Sequence, residues 1–289
     1  MNTLKNALET DKFIITAEAG PPKGTDVQEM LHSTSLLKEK VDAVNVTDNQ
    51  SSVMRLGSLG ASKLILEHGL DPIYQLTCRD RNRLAIQSDL LSAHVLGIRN
   101  VLALTGDHTQ AGDHKQAKPV FDIESVQLLQ VISTLNRGMD MNGNLLKGKT
   151  EFTMGATVTP EADPIEPQIL KFEKKVKAGA QFFQTQAVYD TKKMEEFMET
   201  ARHFPVKIIG GILLLKSAKM ARFLNKFVPG IRVPDELINE LEKSEKPLET
   251  GIQIAARQIN EFRSICDGVH VMAIGMEDKV PLILEKAGI

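Results

Sequence analysis

Eight short apolar runs, each followed by a segment of helical period, dominate this chain and leave it few folds to adopt. The runs are FIITAE (13–18), AVNVT (43–47), PIYQLT (72–77), NVLALTG (100–106), FTMGATV (152–158), QFFQTQA (181–187), VKIIGGILL (206–214) and VHVMAI (269–274). Between them the spacing predicts helices over 26–39, 54–68, 82–96, 123–136, 166–178, 191–203 and 216–227, then 235–244 with 249–265, and last 277–287. The runs are continuously hydrophobic rather than alternating, as parallel strands covered by helices require. Gly69 and Gly179 each follow a predicted helix and precede a strand, where a left-handed residue stops the helix. Eight such units are the count of a closed α/β barrel, the (β/α)8 TIM barrel, which takes about 250 residues. One domain covering residues 1–289 is therefore expected. An open doubly wound sheet is the rival, but it carries a GxGxxG after its first strand. Here that place reads Glu18-Ala19-Gly20-Pro21-Pro22.

Composition removes several function classes. Basic and acidic residues nearly balance, 35 against 37, and no dense basic run occurs, so nucleic acid is not an expected partner. No stretch reaches the roughly 18 apolar residues of a membrane span, and MNTLKNALETDKF lacks the apolar core of a signal peptide. Cys78 and Cys266 have no CxxC spacing, which suits a reduced, cytoplasmic protein. Two segments break the rhythm. Residues 107–122, DHTQAGDHKQAKPVFD, form an aperiodic connection of a length usually tied to function. Residues 136–150 read as a surface hairpin at the opposite end of the barrel.

In a barrel the chemistry sits at the C-terminal strand ends and the loops after them. Those ends supply Glu18, then Thr47-Asp48-Asn49-Gln50, Thr77-Cys78-Arg79-Asp80, Thr105-Gly106-Asp107, Thr157-Val158-Thr159, and Gln184 with Gln186. The seventh and eighth runs end in apolar or small residues. Glu18 and Asp107 are expected to face one pocket. A carboxyl at an apolar mouth beside a second acid is pushed towards its neutral form, which a general acid near neutral pH needs. The plain alternative for each is to cap a helix or to pair with Arg79 or Arg81. His108 and His114, within DHxxxxxDH, are expected to touch a ligand from the long loop, and no metal site is expected. Cys78 reads as core filler, and the apolar stripe of 166–178 reads as core.

Eight segments carry a resemblance: TAEAGPPKG (16–24), DAVNVTDNQSS (42–52), YQLTCRDRN (74–82), LALTGD (102–107), KPVFD (118–122), TPEADP (159–164), KKVKAGAQFFQTQAVYD (174–190) and IIGGILL (208–214). In that order, over about residues 10–275, they resemble the motifs of the methylenetetrahydrofolate reductase family. The resemblance implies reduction of 5,10-methylenetetrahydrofolate to 5-methyltetrahydrofolate by hydride from N5 of a reduced flavin, within one-carbon metabolism. It makes Glu18 the general acid that protonates N10, Asp107 the aspartate that contacts the pterin and tunes the flavin, and Gln186 the amide that positions folate and nicotinamide in turn. Thr47 falls at a flavin and nicotinamide contact; Asn49, Gln75, Thr105, Gly106, Phe121, Lys174 and Lys175 fall where the flavin and its phosphates are held. Lys174 and Lys175 alone would read as a solvated helix face. Many members have His at Gln75 and Arg at Thr105, so FAD is the implied cofactor with FMN as the alternative. The family's folate-binding arginine aligns with Met276, leaving Lys216 or Lys279 as stand-ins. The wording is similar to a short branch from acetogenic bacteria, which implies NAD(P)H or another electron donor and a zinc-binding partner subunit; a homo-oligomer is compatible with all of this. Two other functions fit a barrel with strand-end acids: a flavin-free pterin-binding methyltransferase, and a catalytically silent scaffold. Three polar groups kept in one pocket count against the scaffold.

Overall fold

The computed structural model describes residues 3–289. The strands are β1 (Ile14–Ala19), β2 (Ala43–Val46), β3 (Pro72–Thr77), β4 (Asn100–Leu104), β5 (Thr153–Val158), β6 (Phe182–Ala187), β7 (Lys207–Leu213) and β8 (Gly268–Met272). All pair in parallel in sequence order, and β8 returns to β1 with Thr16 opposite His270, so the sheet closes into a (β/α)8 barrel. The helices are α1 (Thr3–Leu8), α2 (Gln28–Ser35), α3 (Ser58–Glu67), α4 (Arg83–Val95), α5 (Ser125–Asn136), α6 (Glu166–Lys177), α7 (Thr191–Ala201), α8 (Ala218–Phe227), α9 (Asp235–Lys243), α10 (Pro247–Phe262) and α11 (Val280–Lys286). None is long and apolar enough to cross a membrane among the described residues.

Helix ends follow local chemistry. Gly69 and Gly179 sit just past α3 and α6 at φ +82° and +106°, conformations that cost an L side chain energy. Asn82 caps α4 by accepting from Leu84 and Ala85 N–H, and Glu124 with Gln127 forms a capping box on α5. Most helix ends fall within a few residues of expectation, and two helices are markedly shorter than expected. The expected helix 54–68 starts only at Ser58, because Asn49, Ser51 and Ser52 are left-handed and turn the chain first. The predicted helix 26–39 runs only from Gln28 to Ser35. The insert 136–150 is a hairpin closed by an antiparallel bridge between Met139 and Leu145.

Side chains fill the barrel in layers. The lowest is apolar: Ile14, Ala43, Ile73, Leu102, Phe182 and Ile209, all buried. Phe182 reaches across because β5 has glycine opposite; a Cβ on Gly155 would lie 2.2 Å from its ring. Below this layer α1 plugs the N-terminal end with Leu4 and Ala7, and the Asp71 carboxylate accepts the Leu4 N–H at 3.1 Å. The next layer is polar. Asn45 on β2 and Gln184 on β6 belong to opposite walls yet share two hydrogen bonds, of 2.6 and 3.0 Å, so their amides meet in the lumen. Outside the sheet, Phe172 of α6 packs on Phe183, Phe197 and Phe204 with ring centroids 4.5–5.5 Å apart. The apolar stripe of that helix is core, as its period predicts.

Candidate active site

Strand alternation carries the polar layer one step up to the mouth. Two residues beyond Thr16, Asn45 and Gln184 stand Glu18, Thr47 and Gln186. A cleft of ≈ 440 Å³ opens there, within the range of small-molecule sites. Its wall includes Glu18, Asn49, Gln75, Thr105, Gly106, Asp107, Lys175 and Gln186, so eight of the expected residues meet in one place.

Glu18 is only 6% exposed. Its Oε1 accepts a hydrogen bond from Gln50 Nε2 at 3.1 Å, and His270 Nε2 stands 3.9 Å from its Oε2. Neither arginine pairs with it. Arg79 is buried and forks onto Asp80 at 2.9 and 2.7 Å. Arg81 forks onto Asp48 at 2.7 and 3.3 Å and reaches Asp89 at 2.8 Å. Asp48 is further held by the Thr77 N–H and hydroxyl. Both guanidinium groups are thus committed to other carboxylates. Asp107 lies on the exposed rim; Arg79 reaches its backbone carbonyl at 3.4 Å and not its carboxylate. The turn that presents it needs Gly106, which sits at φ +91° with the Cβ atoms of Thr77 and Arg79 only 3.1 Å from where its own would be.

The adjacent lysines of α6 separate. Lys175 is 5% exposed and donates to the Thr157 carbonyl at 2.6 Å. Burial, aided by the neighbouring Lys171 charge, holds its pKa down at about 8. Lys174, one position along the helix, is exposed and outside the cleft wall. Phe121 is also outside it: half-buried at φ +41°, it stacks on His108 with centroids 6.3 Å apart. Thr47 is buried below the rim, and its hydroxyl has no hydrogen-bond partner. Gln186 lines the cleft from a bulge where the β6–β7 register shifts. Gly211 permits that bulge, since a Cβ there would meet the Thr185 carbonyl oxygen at 2.5 Å.

The long loop after β4 is pinned at Asp113, which accepts the Met54 N–H at 3.1 Å and pairs with Lys23 and His114. Lys23 foremost, then His114, hold the Asp113 carboxyl far below the usual range. Of the two stand-ins for the absent arginine, Lys216 donates to the Ile274 carbonyl and Lys279 pairs with Asp278; neither lines the cleft. Cys78 is fully buried, and burial pushes its thiol up to about 12, so it is core filler.

Sequence reasoning passed over His270. The last strands read as ending in apolar or small residues, yet His270 on β8 lines the cleft beside Glu18. It also missed Glu161, a buried carboxylate that accepts the N–H groups of Tyr189, Asp190 and Arg232 at 2.7, 2.7 and 3.1 Å. Desolvation raises its pKa even so. The available signals were the strand period for His270, two residues short of the β8 end, and for Glu161 its place in the β5–α6 loop.

A closed parallel barrel with an acid- and amide-lined cleft at its C-terminal mouth is a (β/α)8 protein whose cleft lies where that fold builds its active sites. Residues 3–288 match the family model described as methylenetetrahydrofolate reductase, and the chain belongs to that family. It is 25% identical to methylenetetrahydrofolate reductase 1 of Schizosaccharomyces pombe over 96% of this chain and 46% of that protein. It therefore spans under half the length of that relative. With the 5,10-methylenetetrahydrofolate reductase of Pectobacterium carotovorum it shares 27% identity over 84% of this chain and 77% of the other. A solved Clostridium thermocellum protein, described as uncharacterized and binding two copies of 5-methyl-5,6,7,8-tetrahydrofolic acid, superposes at a TM-score of 0.71 with 16% identity, covering 99% and 98% of the two chains. At that identity the likeness speaks for the fold.

Proposed function

We propose that the chain reduces 5,10-methylenetetrahydrofolate to 5-methyltetrahydrofolate, with a flavin bound in the barrel mouth. The observation that carries this is the Glu18 carboxyl, buried at the cleft, joined to no lysine or arginine among the described residues, with Asp107 on the rim of the same cleft. Family membership and the folate held by the Clostridium neighbour point to the same substrate class.

The residues present fit a flavin. The buried Lys175 ammonium on the cleft wall offers a cation to an anionic group, and the Thr47 hydroxyl, buried just behind that wall, is a polar atom with no partner inside the protein. Thr47, Asn49, Gln75, Thr105, Gly106 and Lys175 would hold the group, FAD on the family resemblance. Three expected residues lie outside the cleft wall: Phe121 and Lys174 would touch only the group's outer end, and Thr47 stands behind the wall. When bound, the flavin supplies the hydride for the one-carbon unit.

The chain supplies the rest. Glu18 gives its proton to N10 of the folate, so the five-membered ring opens to a cationic iminium. Asp107 offers negative charge from the rim to that cation. Gln186 orients the pterin from β6. Electrons reach the site from NAD(P)H or another electron donor.

Glu18→Gln keeps the shape and removes the proton. Folate reduction by pre-reduced enzyme should fall by about 100-fold or more, while reduction of the bound flavin by its donor stays within a few-fold of wild type. Equal loss of both half-reactions would show that the roles are misassigned.

A further inference from the structure

A buried hydrogen-bond chain beneath Glu18 has no part in the scheme above. Asn45 Nδ2 donates to Gln184 Oε1, and Gln184 Nε2 donates back to Asn45 Oδ1, at 2.6 and 3.0 Å. With the Gln184 amide oriented in this way, its second N–H donates to Thr16 Oγ1 at 3.2 Å. The Thr16 hydroxyl owns one proton. Two atoms are in reach of it, His270 Nδ1 at 2.9 Å and the Val269 carbonyl at 3.5 Å, and the shorter contact favours donation to Nδ1. Nδ1 is then an acceptor, which in a neutral imidazole puts the ring proton on Nε2. Nε2 stands 3.9 Å from Glu18 Oε2, within ~1 Å of hydrogen-bond contact. Gln50 already donates to the other oxygen. Thr16, Asn45, Gln184 and His270 are each 3% exposed or less, so water does not compete for these bonds.

We propose that His270, fixed as its Nε2–H tautomer by Thr16 and the Asn45–Gln184 amide pair, is a positioning residue for Glu18 and steadies the carboxylate left after proton donation. The inference rests on Glu18 being the acid. In the step, the Glu18 O–H bond breaks, an N10–H bond forms, and the charge left on Glu18 meets one N–H at each oxygen. His270 keeps its own proton throughout. Donors aimed at the ionised form favour that form and so ease proton release. The other charged groups on the cleft wall are Asp48, Arg79, Asp107, Lys171 and Lys175. None is hydrogen-bonded or ion-paired to the Glu18 carboxyl among the described residues, so a pH effect at Glu18 isolates His270.

The test follows the folate half-reaction across pH in flavin-loaded wild type, His270→Phe, His270→Gln, Thr16→Val and Glu18→Gln. His270→Phe should slow it about tenfold and move its alkaline fall-off up by roughly one pH unit, because the acid has lost a donor to its conjugate base. Flavin reduction by the donor should stay within twofold, and His270→Gln should recover part of the loss. Independently of activity, nitrogen-15 spectra of histidine-labelled protein should show His270 protonated at Nε2 and not at Nδ1, a preference that Thr16→Val weakens. An unmoved pH profile in folded His270→Phe, or an Nδ1–H tautomer in wild type, overturns the inference. If His270→Phe does not fold, Thr16→Val and the tautomer decide the matter. Folate reduction that survives Glu18→Gln defeats the proposed function as well; loss in Glu18→Gln with an unmoved profile in His270→Phe defeats this inference alone.

Discussion

Lys175 offers a prediction whose size can be worked from the structure. Its ammonium is buried against the cleft with one carbonyl partner, and its pKa stands at about 8 against an ordinary 10.5. At ~1.36 kcal/mol for each pH unit, that fall puts about 3 kcal/mol of strain into the fold at neutral pH. Lys175→Met keeps the length and removes the charge. Losing the bond to the Thr157 carbonyl returns about 1 kcal/mol of the gain. The net expectation is a variant about 2 kcal/mol more stable at pH 7. The sign with pH follows from linkage. Below pH 8 Lys175 is charged in both states and the whole penalty acts. Between about 8 and 10.5 the unfolded chain holds the extra proton, so wild-type stability rises with pH relative to the variant. Above that window the advantage is gone. Urea denaturation of both proteins at pH 7, 9 and 10.5, without flavin, measures the difference at each point. A variant no more stable at pH 7, or a difference that does not shrink with pH, refutes the reasoning. On the proposed function the same variant also retains flavin less well, which equilibrium dialysis measures.

Three further outcomes follow from packing. Leu4→Ala should lose roughly 2–4 kcal/mol, because the side chain is fully buried in the plug under the barrel; a loss under ~1 kcal/mol in urea would mean α1 does not seal that end. Asp48→Asn removes the fork from the Arg81 guanidinium but leaves its Asp89 partner, and should cost about 1–2 kcal/mol, whereas an unchanged midpoint means the pair contributes nothing. Gly211→Ala should cost roughly 1–3 kcal/mol and, by displacing Gln186, raise KM for the folate. Gly20→Ala, with nothing within 4 Å of the added carbon, is its silent control.

Strand order was legible because every strand of a buried parallel sheet must be apolar, and the Gly69 and Gly179 stops confirmed the rhythm. The mouth residues were legible because topology alone sends strand C-termini to one end. α1 was not: six residues have no period to read, and its helix exists because Leu4 fills the barrel floor while Asp71 takes its N–H. Lys174 and Lys175 look alike in sequence, and only the helix phase, set by Phe172 on the core side, decides which is buried. Phe121 lies outside the wall on a loop tied down on either side of it, Val120 N–H donating to the Arg79 carbonyl and Asp122 pairing with Arg83, with no strand to aim its side chain. His270 was missed because strand ends were read in place of the alternate positions below them.

The most direct measurement is an anaerobic titration of the purified, flavin-reconstituted protein. The flavin absorbance should bleach with a reductant and then return, mole for mole, as 5,10-methylenetetrahydrofolate is added. A protein that takes up no flavin, or one that stays bleached in the presence of the folate, contradicts the account.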